Sequence, residues 1–107
     1  MQCEKISEGL KALSDPMRRR ILAQLPDEAN CTRGNNVSQL ADTLGAPQPS
    51  ISHHLKVLRM AGLVDFRKMC RDVFYWRNPD ALHRLIDGMG DSISFDLREK
   101  SEPVAKS

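Results

Sequence analysis

The feature that most restricts the fold is a change of hydrophobic period just after residue 62. Apolar residues recur at helical spacing from Val37 to Leu44, and again from about Pro47 to Met60. Between these segments stands Gly45, which suits the left-handed end of a helix. From Val64 to Arg77 the pattern alternates and is rich in β-branched and aromatic residues. The sequence therefore predicts two short helices, a tight turn between them, and a β-hairpin directly afterwards.

Three further helices are predicted from apolar stripes and helix-start signals. The first runs from about Glu4 to Leu13. Asp15 followed by Pro16 marks the start of the second, because aspartate supplies an N-cap and proline suits the first helical turn. The second helix closes at Pro26, and the last begins at Pro79. The chain is therefore expected to be mainly α-helical with one small hairpin.

The length of 107 residues allows one hydrophobic core. We expect residues 1–98 to form a single domain and the polar segment 99–107 to be a flexible tail. The apolar runs are far shorter than the ~20 residues that cross a bilayer, and the first ten residues lack a signal-peptide pattern. Three cysteines, an odd number, suit a reducing compartment better than a disulfide framework. A cytoplasmic protein without membrane contact is expected.

Basic charge is concentrated in the middle of the chain, although the formal net charge is only +2. Residues 55–78 carry six basic and two acidic side chains, whereas the segments on either side are neutral or acidic. A locally basic segment favours contact with a polyanion on one face. An ordinary solvated charged surface explains the same pattern about equally well, so charge alone leaves both interpretations open.

The helix pair followed by a basic hairpin has the layout of a winged helix-turn-helix. In that fold the second helix of the pair, the recognition helix, enters the DNA major groove and the hairpin lies along the backbone. Base reading requires a helix with an apolar back and short polar donors on its front. The residues predicted to face DNA are polar or basic, and they are Gln48, Ser50, Ser52, His53 and Lys56 on the recognition helix, with Arg18, Lys68 and Arg71 as phosphate contacts.

Two segments, Leu13 to Leu22 and Ser50 to Val64, closely resemble the ArsR/SmtB family of bacterial repressors. The second is more specific, because it combines recognition-helix polarity, core leucines and the turn into the hairpin. The likeness covers roughly Ile6 to Leu85. It implies a homodimer that binds a palindromic operator and releases the operator when a metal ion or another signal binds.

A dimer is also favoured by the apolar stripes of the first and last helices, because one core of this size leaves some of that surface unused. Members of the family pair through these two helices. Burial in the monomer core explains any single residue of the stripes nearly as well. The candidates for the dimer interface are Ile6, Leu10, Leu82, Leu85, Ile86 and Met89.

The residues at the two metal sites known in the family do not form a ligand set in this chain. Metal-sensing relatives carry a Cys-x-Cys pair of thiolates where this chain has Asn36 and Ser38. The last helix has Asp80 and His83, with no later histidine. We therefore predict neither a metal nor any other cofactor.

Two cysteines are candidate redox sensors. Cys31 lies near Arg33 in the polar segment 26–36, which is predicted to be a surface loop, and Cys70 lies at the hairpin tip beside Arg71. Neighbouring cations favour the reactive thiolate. Most exposed cysteines in cytosolic proteins sense nothing, so an unreactive role is the stronger alternative.

Two other classes of function compete with DNA binding. An enzyme is disfavoured, because the sequence has no Gly-rich phosphate loop, no nucleophile elbow and no carboxylate pair with evident spacing. A winged helix that binds proteins and never touches DNA is the main alternative. Such modules can lose the polar and basic residues that this chain keeps at Gln48, His53 and Lys68. The predicted function is therefore a DNA-binding transcriptional repressor.

Overall fold

The computed structural model describes residues 3–28, 35–69 and 71–88. The helices are α1 (Cys3–Leu13), α2 (Pro16–Gln24), α3 (Val37–Leu44) and α4 (Gln48–Met60), and the strands are β1 (Val64–Met69) and β2 (Asp72–Arg77). Residues 79–88 form a further helix, α5. The predicted mainly helical fold with one antiparallel hairpin is confirmed. None of the helices in these three ranges is long and apolar enough to cross a membrane. The expected tail at 99–107 lies outside the described residues.

Local sequence signals account for the helix ends. The Asp15 carboxylate accepts two backbone N–H hydrogen bonds from the first turn of α2. Gly45 ends α3 in the left-handed conformation, with φ +66°. A second left-handed glycine, Gly62 at φ +80°, follows α4, and the N–H of Leu63 donates to the carbonyl of Leu58 at 3.0 Å. This bond closes a Schellman motif, which turns the chain directly from the recognition helix into the hairpin.

The hydrophobic core lies where α2, α3 and α4 meet, with contributions from the other helices and the start of β1. The apolar residues predicted on the back of the recognition helix are all 0% exposed. Burying such side chains stabilises a fold by roughly 1.5–3 kcal/mol each. The fully enclosed apolar side chains are Ile21, Leu40, Ile51, Leu55 and Leu58, and Ala12, Leu25, Leu63, Val64 and Leu85 are nearly so.

The last two residues of the segment between α2 and α3, Asn35 and Asn36, pair with strand β2 of the hairpin. The N–H of Tyr75 donates to the carbonyl of Asn35 at 3.0 Å, and Asn36 forms an isolated antiparallel bridge with Phe74. Both asparagines are buried. The prediction of a surface loop over 26–36 was therefore wrong for Asn35 and Asn36. Their backbone groups pair with β2, a long-range interaction that no local apolar period reports.

Candidate nucleic-acid interface

Helix α4 separates an apolar back from a polar front. Ile51, Leu55 and Leu58 are buried against the other helices. At 13 residues α4 is about 20 Å long, and a B-DNA major groove about 12 Å wide admits a helix of this kind. The side chains predicted to read bases are all exposed, and they are Gln48, Ser50, Ser52, His53 and Lys56.

The turn before α4 holds the recognition helix at a defined angle to α3. The N–H of Ala46 donates to the carbonyl of Ala41 at 3.1 Å, and the N–H of Ile51 donates to the carbonyl of Pro47 at 3.2 Å. Pro47 is the N-cap residue and offers no side-chain hydrogen bond. The N–H groups in the first turn of α4 are therefore not used by a capping side chain, and such groups bind phosphate well.

Two exposed cations lie at the far end of the hairpin. Lys68 stands near the end of β1 and Arg71 stands in the turn. Arg71 has a φ of +72°, and among the described residues it is the one non-glycine residue with a positive φ. Within the ranges that the structure describes, neither cation forms an ion pair. Both charges are thus available to a DNA phosphate.

A third cation, Arg59, connects α4 to the hairpin and is not among the residues predicted from the sequence. The guanidinium carbon of Arg59 lies 4.9 Å from the ring centroid of Phe66, which stacks on Tyr75 at 5.8 Å between centroids. Burial raises the pKa of Tyr75 above its usual value, although Arg59 acts in the opposite direction. This cation–π contact ties the last turn of α4 to β1. The sequence signal that could have identified Arg59 is a basic residue in the last turn of the recognition helix, shortly before a strand with aromatic residues.

Arg18 lies apart from the hairpin cations. It belongs to the first part of α2, and its side chain is only 13% exposed. Its guanidinium contacts backbone carbonyls of α1 and the ring of His54 on α4. The structure therefore brings Arg18 to the side of the recognition helix, whereas Lys68 and Arg71 lie at the tip of the hairpin.

Of the four residues compared above with the metal ligands of the family, Asn36 has a structural role in this chain. The Asn36 side chain caps α3 by accepting from the N–H of Gln39 at 2.8 Å, and its amide donates to Asp72 at 3.4 Å. Asp80 and His83 are exposed on α5. In the part of the chain that the structure describes, no three His, Cys, Asp or Glu side chains are close enough to hold a metal ion.

The dimer candidates divide into exposed and buried residues. Leu10 is 42% exposed and Ile86 is 57% exposed, so both present apolar surface to solvent. Leu85 is 4% exposed and belongs to the core of the protomer, while Ile6 and Leu82 pack against that core and are half-buried. Met89 lies outside the described residues. Cys31 and Cys70 also lie outside them, and the thiol-sensing hypothesis stays a prediction.

A short helix pair with a polar recognition helix, followed directly by a hairpin with basic residues, defines a winged helix-turn-helix domain. The family model for bacterial regulatory proteins of the arsR family matches residues 15–65, which run from the cap of α2 into β1. The chain belongs to this family of transcriptional regulators.

Similar proteins agree with this assignment. An HTH-type transcriptional regulator of Methanocaldococcus jannaschii is 39% identical over 83 residues, which cover 78% of this chain and 89% of that protein. The HTH-type transcriptional repressor SmtB of Mycobacterium tuberculosis is 41% identical over 68 residues, which cover 64% of this chain and 47% of the repressor. The chain thus spans about half the length of that repressor.

A solved structure shows the same fold at lower identity. The homodimeric winged helix-turn-helix DNA-binding domain from Mycobacterium bovis superposes with a TM-score of 0.65 at 22% sequence identity. The alignment covers 90% of this chain and 84% of that domain. The likeness therefore extends beyond the helix pair and the hairpin to most of the chain.

Proposed function

We propose that this chain is a cytoplasmic transcriptional repressor that binds a palindromic DNA operator as a homodimer. The observation that carries the proposal is the division of α4 into a fully buried apolar back and an exposed polar front, beside a hairpin with two exposed cations that form no ion pair among the described residues. A protein-binding winged helix has no need for this combination. Membership of a family of transcriptional regulators supports the same function.

Base reading and phosphate binding would fall to different residues. Gln48, Ser52 and His53 lie on the exposed front of α4, where short donors and acceptors reach base edges. Lys68 and Arg71 on the hairpin would neutralise phosphates, which fixes the register of the protein on DNA without reading its sequence. Substitutions on α4 should therefore change the sequence specificity of DNA binding, whereas substitutions on the hairpin should change its salt dependence.

Dimerisation would place two recognition helices on one two-fold symmetric site. Leu10 on α1 and Ile86 on α5 present exposed apolar surface on the two terminal helices. Covering this surface in a dimer removes it from water, which favours association. The homodimeric state of the similar Mycobacterium bovis domain supports this arrangement. An operator read by such a dimer has half-sites about one helical turn, roughly 34 Å, apart.

The test is selection of binding sites from a random pool of 30-base-pair DNA, followed by fluorescence anisotropy at about 150 mM salt. We expect enrichment of an inverted repeat, with affinity for it at least about 10³-fold higher than for a scrambled duplex. Gln48→Ala should lose about 1–3 kcal/mol, mainly at one base position. Gln24→Ala, which removes an exposed glutamine at the end of α2, is the matched control and should bind as the wild type does.

The outcomes discriminate between the candidate functions. Recovery of no shared motif, with equal binding to selected and scrambled DNA, would overturn the repressor proposal in favour of a protein-interaction module. Enrichment of a motif without two-fold symmetry would overturn the palindromic operator while leaving DNA binding in place.

A further inference from the structure

Arg18 joins three helices through one guanidinium group. Its Nε donates to the carbonyl of Ala12 at 2.5 Å, and its Nη2 donates to the carbonyl of Lys11 at 3.2 Å. Its Nη1 lies 3.3 Å from Nδ1 of His54, and 3.9 Å from a carboxylate oxygen of Asp15. The last turn of α1, the cap of α2 and the middle of α4 therefore meet at this side chain.

The guanidinium of Arg18 acts as the hydrogen-bond donor towards His54. Arginine donates hydrogen bonds and accepts none, so Nδ1 of His54 is the acceptor in this contact. Lys11 and Ala12 lie in the last turn of α1, where backbone carbonyls have no partner within the helix. The planar fork of Arg18 donates to both carbonyls and contacts His54 at the same time, while the carbonyl of Lys11 also accepts from the N–H and the hydroxyl of Ser14.

The position of His54 on α4 links this contact to the orientation of the exposed face of the recognition helix. Successive residues of a helix point about 100° apart, and accordingly His53 is exposed while His54 is half-buried towards α2. Together with the buried apolar back of α4, a restraint on His54 limits the rotation of α4 about its own axis. That rotation decides where the exposed side chains Gln48, Ser52 and His53 meet the bases.

We propose that Arg18 is a positioning residue for DNA reading, which sets the rotation of the recognition helix through His54 and does not itself neutralise a phosphate. The inference rests on the proposed DNA-binding function and deepens it. At 13% exposure and with its nitrogens directed at Ala12, Lys11 and His54, the side chain has little surface left for DNA. The sequence alone had favoured a phosphate contact.

Salt dependence distinguishes the two roles, because each neutralised phosphate contributes about 0.9 to the slope of log K against log salt concentration. The experiment measures anisotropy on the selected inverted repeat and on a scrambled duplex from about 50 to 300 mM salt. The variants are Arg18→Lys, which keeps the charge, Arg18→Ala, His54→Leu, which removes the acceptor, and His54→Asn, whose Oδ1 restores an acceptor at the place of Nδ1. Arg20→Lys and Arg20→Ala are controls at an exposed arginine of the same helix.

We expect Arg18→Lys and His54→Leu to reduce the affinity for the selected DNA by about tenfold or more, with the salt slope and the affinity for scrambled DNA unchanged. His54→Asn should recover most of the loss, which a purely structural role of the imidazole would not allow. Circular dichroism at the assay temperature identifies variants that fail to fold, and the His54 pair tests the inference even if Arg18→Ala is one of them.

Two results would overturn the inference. The first has two parts: Arg18→Lys binds both DNAs as the wild type does, and Arg18→Ala lowers the slope of log K against log salt concentration by about 0.9 on both DNAs. This combination is expected of a direct phosphate contact. The other is equal affinity of His54→Leu and wild type for the selected DNA. If the wild-type chain itself fails to prefer the selected DNA, the proposed function falls first and the inference falls with it.

Discussion

Leu85 of α5 packs directly on Gly9 of α1. A β-carbon on residue 9 would lie 2.7 Å from Cδ2 and 2.8 Å from Cδ1 of Leu85, closer than non-bonded carbons approach. Leu85 is 4% exposed, so it has little room to move away. Because Leu10 and Ile86 stand on these same two helices, the contact also sets the relative position of the apolar surfaces proposed for dimerisation.

Gly9→Ala should therefore destabilise the protein although alanine is the better helix former. The helical preference of alanine contributes about 1 kcal/mol, but overpacking against a buried leucine costs about 1–3 kcal/mol. We expect a net loss of up to about 2 kcal/mol in the free energy of unfolding, measured by urea denaturation at fixed protein concentration.

A double-mutant cycle with Leu85→Ala checks the cause of that loss. Removing the leucine side chain leaves space for the new β-carbon, so Gly9→Ala should become neutral or stabilising in the Leu85→Ala background. The coupling energy between the two sites should exceed about 0.5 kcal/mol. Additive effects would show that the contact is not what makes glycine necessary at residue 9.

The sequence predicted the elements well where local chemistry decides them. Asp15 caps α2, Gly45 ends α3, and the buried stripe of α4 follows its helical period. These features depend on neighbours a few residues away, which a single sequence displays. The alternating pattern that follows Gly62 identified the hairpin for the same reason.

Two features of the candidate site depend on long-range contacts and escaped the sequence analysis. Asn35 pairs with β2 across about forty positions of sequence, and its polar side chain resembles that of an ordinary loop residue. Arg18 resembles any basic residue of a surface helix, since nothing local indicates that the end of α1 and His54 surround it. A phosphate contact was the natural interpretation of its charge.

Replacing Arg71 should separate stability from DNA affinity. Arg71 adopts a left-handed φ of +72°, which costs a residue with a β-carbon about 1–2 kcal/mol and costs glycine little. Arg71→Gly should therefore be about 1 kcal/mol more stable than Arg71→Ala, while both variants lose about 0.9 from the salt slope of DNA binding. Urea denaturation and anisotropy on scrambled DNA give the two quantities. Equal stability of the two variants would argue against strain at the tip, and an unchanged slope would argue against the phosphate contact.

Acidification should remove a contribution of Asp15 to stability. Although partial burial acts to raise it, the pKa of Asp15 is lowered overall by hydrogen bonds from the N–H groups of Met17 and Arg18 and by the nearby charge of Arg18. The folded state then binds fewer protons than the unfolded state, so the contribution is complete above the unfolded pKa and is lost as pH falls through the folded pKa.

The check compares wild type with Asp15→Asn, which keeps a cap acceptor and lacks the charge. The wild type should be the more stable at pH 6, and the difference should shrink as the pH falls from about 5 to about 2. Thermal melts across this range provide the measurement. A difference that stays constant with pH would mean that the ionised carboxylate makes no special contribution.

Charge on the exposed apolar surface of the end helices should dissociate the proposed dimer. Leu10 is 42% and Ile86 57% exposed, so Leu10→Lys and Ile86→Lys remove little packing within the protomer. Sedimentation velocity should show a shift from dimer to monomer for each variant. Affinity for the full inverted repeat should fall by about 10²-fold or more because the two half-sites are no longer bound together, whereas affinity for an isolated half-site should not change.

The control for this prediction is Thr43→Lys, which places the same charge on an exposed residue of α3, outside the two end helices. It should remain dimeric. Dissociation of Thr43→Lys, or persistence of the dimer in both Leu10→Lys and Ile86→Lys, would place the interface on another surface. Because the tip cations Lys68 and Arg71 are unchanged in all three proteins, binding to scrambled DNA should keep the same salt slope per protomer throughout.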